Sequence, residues 1–328
     1  MRKRDFITAL GSAAVAWPLA ARSQQAPLPV VGFLSGYSRN AFGQQVLATF
    51  LQGLTDAGYS DGKNVAIDVG WFEGHYDRLP AIMADLVRRQ VNVIFVTSTP
   101  TALAAKAATK TIPIVFALSS DPVAIGLVAS LARPGGNVTG VTRLSVEMGP
   151  KRLQLIRELV PAATSVALLV NPANPAIAEP EHQQLATASR ALGIELHVLN
   201  ASTETEIVEA VTSAIRLRAG ALVIAPDAFF VTQNARLAAL TLEHRLPAIY
   251  TNREFVAAGG LISYSGSWAD ALNTAAHQVG RILKGEKPAD LPVQQVTKIE
   301  MSINLKTAKA FGLSVSPSVL TQADEVIE

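Results

Sequence analysis

The 328-residue chain contains no cysteine, which excludes disulfides, thiolate metal sites, a cysteine nucleophile and a lipid attached through cysteine. Its 28 basic and 26 acidic residues give a formal charge of +2. Positions 1–23 hold four of the basic residues and one acidic residue, so the rest carries 24 and 25 and offers no positive field for nucleic acid or a membrane surface.

The chain opens with Arg2, Lys3 and Arg4, followed by a short Ala-rich apolar stretch over 6–20 and small residues at Ala21 and Ser23. That is the plan of a secretory leader, expected to be cleaved after Ser23 and too short to span a bilayer. Lys3-Arg4 resembles a variant of the twin-arginine signal, with general secretion the alternative route. The chain beyond it then alternates β-rich runs with helical patterns, which predicts parallel sheets built from βαβ units.

A first strand is expected over 29–34, followed by a helix whose Leu47, Leu51 and Leu54 share one face. Strands over 64–70, 92–97 and 112–118 alternate with helices marked by Leu79, Ile82, Met83 and Leu86, by the Ala-rich run 101–109, and by a helix from Pro122 to about Arg133. Pro134-Gly135-Gly136 stops that helix, and a strand over 137–142 leads into a second unit. There the pattern restarts. Leu153, Ile156 and Val160 mark a helix; strands follow over 165–170, 194–199, 221–225 and 248–250, with helices near 183–192, 204–217 and 232–244. A strand over 261–263, a helix over about 268–284 and a strand over about 293–303 close the pattern.

In parallel α/β sheets, ligands sit outside the carboxyl ends of the strands. The residues just after these strands are repeatedly polar: Ser35, Tyr37 and Ser38; Thr97, Ser98 and Thr99; Ser119, Ser120 and Asp121; Asn171 and Asn174; Asp227; Thr251 and Asn252; Tyr264 and Ser265. Each has a local alternative. Asp121 before Pro122 is a good helix N-cap, and the Asn-Pro pairs are ordinary turns. Their recurrence at one topological place points to a cleft that hydrogen-bonds a small polar or zwitterionic molecule.

Neither G-x-G-x-x-G nor a P-loop occurs, no G-x-S-x-G nucleophile elbow occurs, and the five histidines form no metal-binding spacing. No cofactor and no metal are expected, and a binding protein is favoured over an enzyme.

Long stretches carry a resemblance. "FLQGLTDAGYSDGKNV" at 50–65, "IPIVFALSSDPVAIGLVASLARPGGNVTGV" at 112–141, "RLPAIYTNREFVAAGGLISY" at 245–264 and "ILKGEKPADLPVQQVTKIEMSINLKTAKAFGL" at 282–313 are similar to the ABC-transporter substrate-binding proteins of the tryptophan/tyrosine-type uptake group. The resemblance implies two Rossmann-like α/β lobes with parallel sheets joined by a multi-strand hinge, in the manner of type I periplasmic binding proteins. It implies a periplasmic monomer that closes on a small amino-acid-like molecule and delivers it to the membrane permease of an ABC importer. Its ligand contacts would correspond to Ser35, Thr97, Ser98, Thr99, Ser119, Asp121, Asn171, Asp227 and Tyr264. Where that family often has Ser-Tyr-Gly-Pro, this chain has Ser263-Tyr264-Ser265-Gly266. A sensor module serving a membrane receptor, or a secreted α/β enzyme, are the alternatives. The lobes are expected to comprise 28–143 plus about 264–290, and 144–263 plus about 293–328.

Overall fold

The computed structural model describes residues 27–328, so the leader expected over 1–23 lies outside the described residues. The first lobe runs β1 (Val30–Ser35), α1 (Ala41–Asp56), β2 (Ala66–Trp71), α2 (Leu79–Arg88), β3 (Val93–Val96), α3 (Thr99–Ala108), β4 (Ile114–Leu118) and β5 (Val138–Thr142). β3 and β4 are buried along their whole length, as strands covered by helices on both faces must be. The second lobe runs α4 (Gly149–Leu159), β6 (Ser165–Val170), α5 (Pro175–Leu192), β7 (Glu195–Asn200), α6 (Glu204–Arg216), β8 (Ala221–Ile224), α7 (Ala228–Thr232), α8 (Asn234–Glu243), β9 (Ala248–Tyr250), α9 (Arg253–Ala257) and β10 (Ile262–Gly266). The chain then returns to the first lobe with α10 (Trp268–Leu283) and β11 (Gln294–Gln295). It crosses again for β12 (Ile299–Asn304), α11 (Leu305–Ala310), α12 (Pro317–Gln322) and β13 (Glu325–Ile327).

Two sheets result, of order β11-β5-β4-β3-β1-β2 and β13-β12-β10-β9-β8-β6-β7. All pairings are parallel except β10 with β12, because β12 re-enters from the hinge side. In the first sheet the strand order reverses between β1 and β3, and in the second between β6 and β8. Those are the two points where adjacent crossover helices leave toward opposite faces and open a crevice beyond the strand ends. The chain passes between lobes three times, at 143–148, at Ser267 and at 296–298.

Several expectations need correction. The helix expected from Pro122 to Arg133 is a run of turns. One turn forms, with Ile125 N–H donating to Asp121 O, and then Gly126 takes φ +68° and breaks it. The helix expected over 183–192 begins at Pro175 and carries Pro180 inside it. The helix expected over 232–244 is α8, Asn234–Glu243, and a short helix not expected, α7, precedes it. The strand expected over 293–303 is divided by the third crossing, and α11, α12 and β13 complete the fold beyond it. The lobe limits shift accordingly: residues 264–266 pair with β12 in the second sheet, whereas Gln294 and Gln295 pair with β5 in the first.

The first core is aromatic. Phe50 stacks on Phe95 with centroids 4.2 Å apart, and Phe33 packs against both. The second core is aliphatic around Leu153, Ile156, Leu168 and Val223, and encloses an ion pair between Arg152 and Glu181 at 2.7 Å, both side chains wholly buried.

Candidate functional site

The two switch points face each other. At the first, β1 ends in Ser35 and β3 runs into Thr97-Ser98-Thr99. Ser35 is fully buried and its Oγ accepts from Tyr37 N–H at 3.3 Å, which sets the turn that holds the Tyr37 ring. Thr97 Oγ1 accepts from Gly36 N–H at 3.4 Å and donates to Leu34 O, tying the two strand ends together. Ser98 Oγ pairs with Thr101 Oγ1, and Thr99 Oγ1 with Ser120 Oγ at 2.8 Å. At the second, Asp227 caps α7 by accepting from Phe229 N–H at 3.0 Å. Asn171 Nδ2 donates to its Oδ1 at 2.9 Å and Asn174 Nδ2 to its Oδ2 at 2.8 Å.

The lobes meet across this cleft. Tyr76 Oη, from the first lobe, donates to Asp227 Oδ2 at 2.9 Å, and Gly36 lies so close to Ala228 that a Cβ on it would sit 2.8 Å from that methyl. Burial pushes the Asp227 carboxyl above its usual range, and its four donors offset that only in part. Burial and the adjacent Asp227 both push the Tyr76 hydroxyl well above its usual value, so it stays a donor.

Between the lobes a narrow cavity of about 30 Å³ is lined by Thr97, Ser98, Thr99, Ser119, Asn174 and Asp227. It adjoins a chamber of about 200 Å³ on the hinge side, walled by Phe42, Trp268, Glu254, Ser263 and Ser265. Tyr37, Arg143, Thr251 and Asn252 line both spaces and stand between them. Arg143 is only 5% exposed. Its Nη1 donates to Gly266 O at 3.2 Å, its Nη2 to Ser119 Oγ at 2.9 Å, and its Cζ lies 4.4 Å from the Trp268 ring centroid.

Of the residues expected from the sequence, Tyr37, Thr97, Ser98, Thr99, Ser119 and Asp227 line this cleft. Ser35 and Asn171 stand one layer behind it, holding Tyr37 and Asp227. Asp121 does not line either space. Its Oδ1 accepts from Val123 N–H at 2.7 Å and Ala124 N–H at 3.2 Å, so its carboxylate is spent on the single turn that follows. Tyr264 also points elsewhere. Side chains alternate along β10, so Ser263 and Ser265 face the chamber and Tyr264 packs on the aliphatic core of the second lobe.

Arg143, Trp268, Glu254 and Tyr76 were not expected. Arg143 directly follows the predicted strand 137–142, and the strand-end rule applied there would have found it. Trp268 carried no such signal, because its lobe is set by the second crossing, and Tyr76 carried none, because it lies five residues beyond the end of β2 and reaches Asp227 only across the cleft.

Comparison with known proteins gives one family and close structural relatives. A family described as ABC transporter substrate binding protein matches residues 29–327. A tyrosine-binding protein of Clostridioides difficile is 29% identical over 265 residues, covering 80% of this chain and 75% of that protein. The ABC domain from Streptococcus pneumonia in complex with L-Trp superposes with a TM-score of 0.82 at 25% identity, over 92% of this chain and 100% of that one. A conserved domain protein from Vibrio cholerae gives 0.84 at 26%, over 91% and 99%. The architecture is the type I-like fold of periplasmic binding proteins.

Proposed function

Because the chain belongs to the ABC transporter substrate-binding protein family, we propose that it is the periplasmic solute-binding component of an ABC importer, closing on a small amino-acid-like molecule and presenting it to a membrane permease. One observation carries the reading. Hydroxyls from the switch point of one lobe and amides and a carboxylate from that of the other converge on a single cleft. Tyrosine and L-Trp are the molecules named for two relatives, which supports an amino-acid-like solute. The hydroxyls here pair with one another and with backbone groups, and the Asp227 carboxylate is held by four donors of its own, which supports binding over catalysis. The charged, apolar and small-residue segments of the leader support export. No described helix is long and apolar enough to cross a membrane.

A narrow cavity between closed lobes requires hinge opening for entry. Tyr37, Thr97–Thr99, Ser119 and Asp227 would then meet the ligand from opposite sides as the lobes come together. Thermal-shift measurements over amino acids and small carboxylates test this. A ligand at a hundredfold its Kd is expected to stabilise by about 2.7 kcal/mol. No shift with any of them would overturn the reading. N-terminal sequencing of the periplasmic fraction is expected to begin after Ser23; a cytoplasmic protein starting at Met1 would rule out export.

A further inference from the structure

Three features of the hinge-side chamber remain unused by a cleft built only on strand-end hydroxyls. The first is charge. Arg143 is buried, and among the described residues it has no carboxylate within ion-pair distance, unlike Arg152, which has Glu181. Its Nη atoms reach only neutral oxygens, and its Nε–H has no acceptor. The indole Nε1–H of Trp268, which lines the same chamber, has none either. A desolvated cation with an unused donor is costly unless something anionic completes it.

The second is the state of Asp227. A carboxylate offers about four acceptor positions. Here Asn171 and Phe229 N–H occupy Oδ1, while Asn174 and Tyr76 occupy Oδ2, so no position is left for a ligand ammonium. The third is shape. Tyr37, Phe42 and Trp268 form an edge-to-face aromatic wall, with Tyr37 5.0 Å from Phe42 and 6.2 Å from Trp268. The chamber beside it holds about 200 Å³, and roughly 150 Å³ suffices for benzene.

We infer that the preferred solute is a single-ring aromatic carboxylate whose anionic group docks on Arg143 and whose ring enters the hinge-side chamber, with no requirement for an amine. This rests on the solute-binding reading above and names the substrate class for that same cleft. The Ser263-Tyr264-Ser265-Gly266 segment belongs to the device. Ser265 Oγ bonds Ser145 Oγ at 2.8 Å across the hinge, and Gly266 supplies the carbonyl that holds Nη1. A Cβ at Gly266 would press within 3.2–3.3 Å of Arg143 backbone and side-chain atoms. Glu254 lines the chamber as well, and burial pushes its carboxyl up toward the neutral form, which weakens its competition for Arg143.

The test is calorimetric titration of the mature protein with tyrosine, 3-(4-hydroxyphenyl)propanoate, which lacks the amine, and tyramine, which lacks the carboxylate. The acid is expected to bind within a few-fold of tyrosine, and tyramine about tenfold or more weaker. Arg143→Met is expected to weaken the acid about tenfold or more and leave tyramine nearly unchanged. Glu254→Gln is expected to bind the acid at least as tightly as the unaltered protein, and it keeps the idea testable if the Arg143 variant does not fold. Tyramine binding as tightly as the acid, unchanged acid affinity in Arg143→Met, or weaker acid binding in Glu254→Gln would each overturn it. If tyrosine binds but these preferences fail, the substrate class is wrong and the solute-binding reading stands. If no amino acid or carboxylate binds, both fall.

Discussion

Asp121 and Asp227 are each an aspartate that follows a strand and caps the next turn, yet their surroundings assign them different work. Asp121 Oδ1 accepts two backbone N–H groups of a half-buried turn that leads away from the cleft. Asp227 is buried where two asparagines and a tyrosine of the opposite lobe reach it. Asp121→Ala is therefore expected to cost about 0.5–2 kcal/mol of stability, the worth of an N-cap, while leaving ligand affinity unchanged. Denaturant midpoints and titration of the purified variant check the two halves separately. A loss of affinity beyond the loss of stability would place Asp121 back in the cleft.

Packing between elements explains how the C-terminal third completes the first lobe. Helix α10 follows β10 of the second sheet yet lies on α1 and on the first sheet. The contact is close because it uses glycines. A Cβ on Gly53 of α1 would come 2.6 Å from Asn273 Oδ1 and 2.8 Å from the Ala276 methyl, and one on Gly280 would come 2.7 Å from Ala57. Gly53→Val is expected to destabilise the protein by about 1–3 kcal/mol through overpacking, despite the modest gain in helix propensity over glycine. A lowered denaturant midpoint checks it, and an unchanged one would mean that α10 can shift freely. Local geometry likewise makes the segment after β4 a run of turns where its composition predicts a helix. Residues 122–133 are rich in helix formers, but Gly126 at positive φ admits only one turn before the chain turns back to β5.

For the whole molecule, three crossings make a hinge and one side-chain bond reports its closure. Tyr76 joins Asp227 across the cleft at 2.9 Å, a hydrogen bond to a carboxylate in a buried setting. Tyr76→Phe removes the bond and keeps the ring beside Phe72. Such bonds contribute about 1.5–3 kcal/mol, so ligand affinity is expected to fall about tenfold or more as the open state gains population. Small-angle scattering should show a larger radius of gyration for the variant at equal ligand saturation of the wild type. Equal affinity and an equal radius would mean that the bond is incidental to closure.

The hydrophobic periods alone determined the α/β class, nearly every strand of both sheets, and the rule that polar strand ends gather at a cleft. Such signals are local: a run like Val93–Val96 is apolar because both its faces are covered, wherever it sits in the sheet. From that rule Tyr37, Thr97, Ser98, Thr99, Ser119 and Asp227 were legible as cleft residues. Tertiary structure decided the rest. Which way β10 faces placed Ser263 and Ser265 in the chamber and Tyr264 in the core, since a one-residue change of register inverts a strand. The crossings brought Arg143 and Trp268 together from positions 125 residues apart (143 to 268). No local pattern encodes such a meeting, because the energy that fixes it lies in burying two lobes against one hinge.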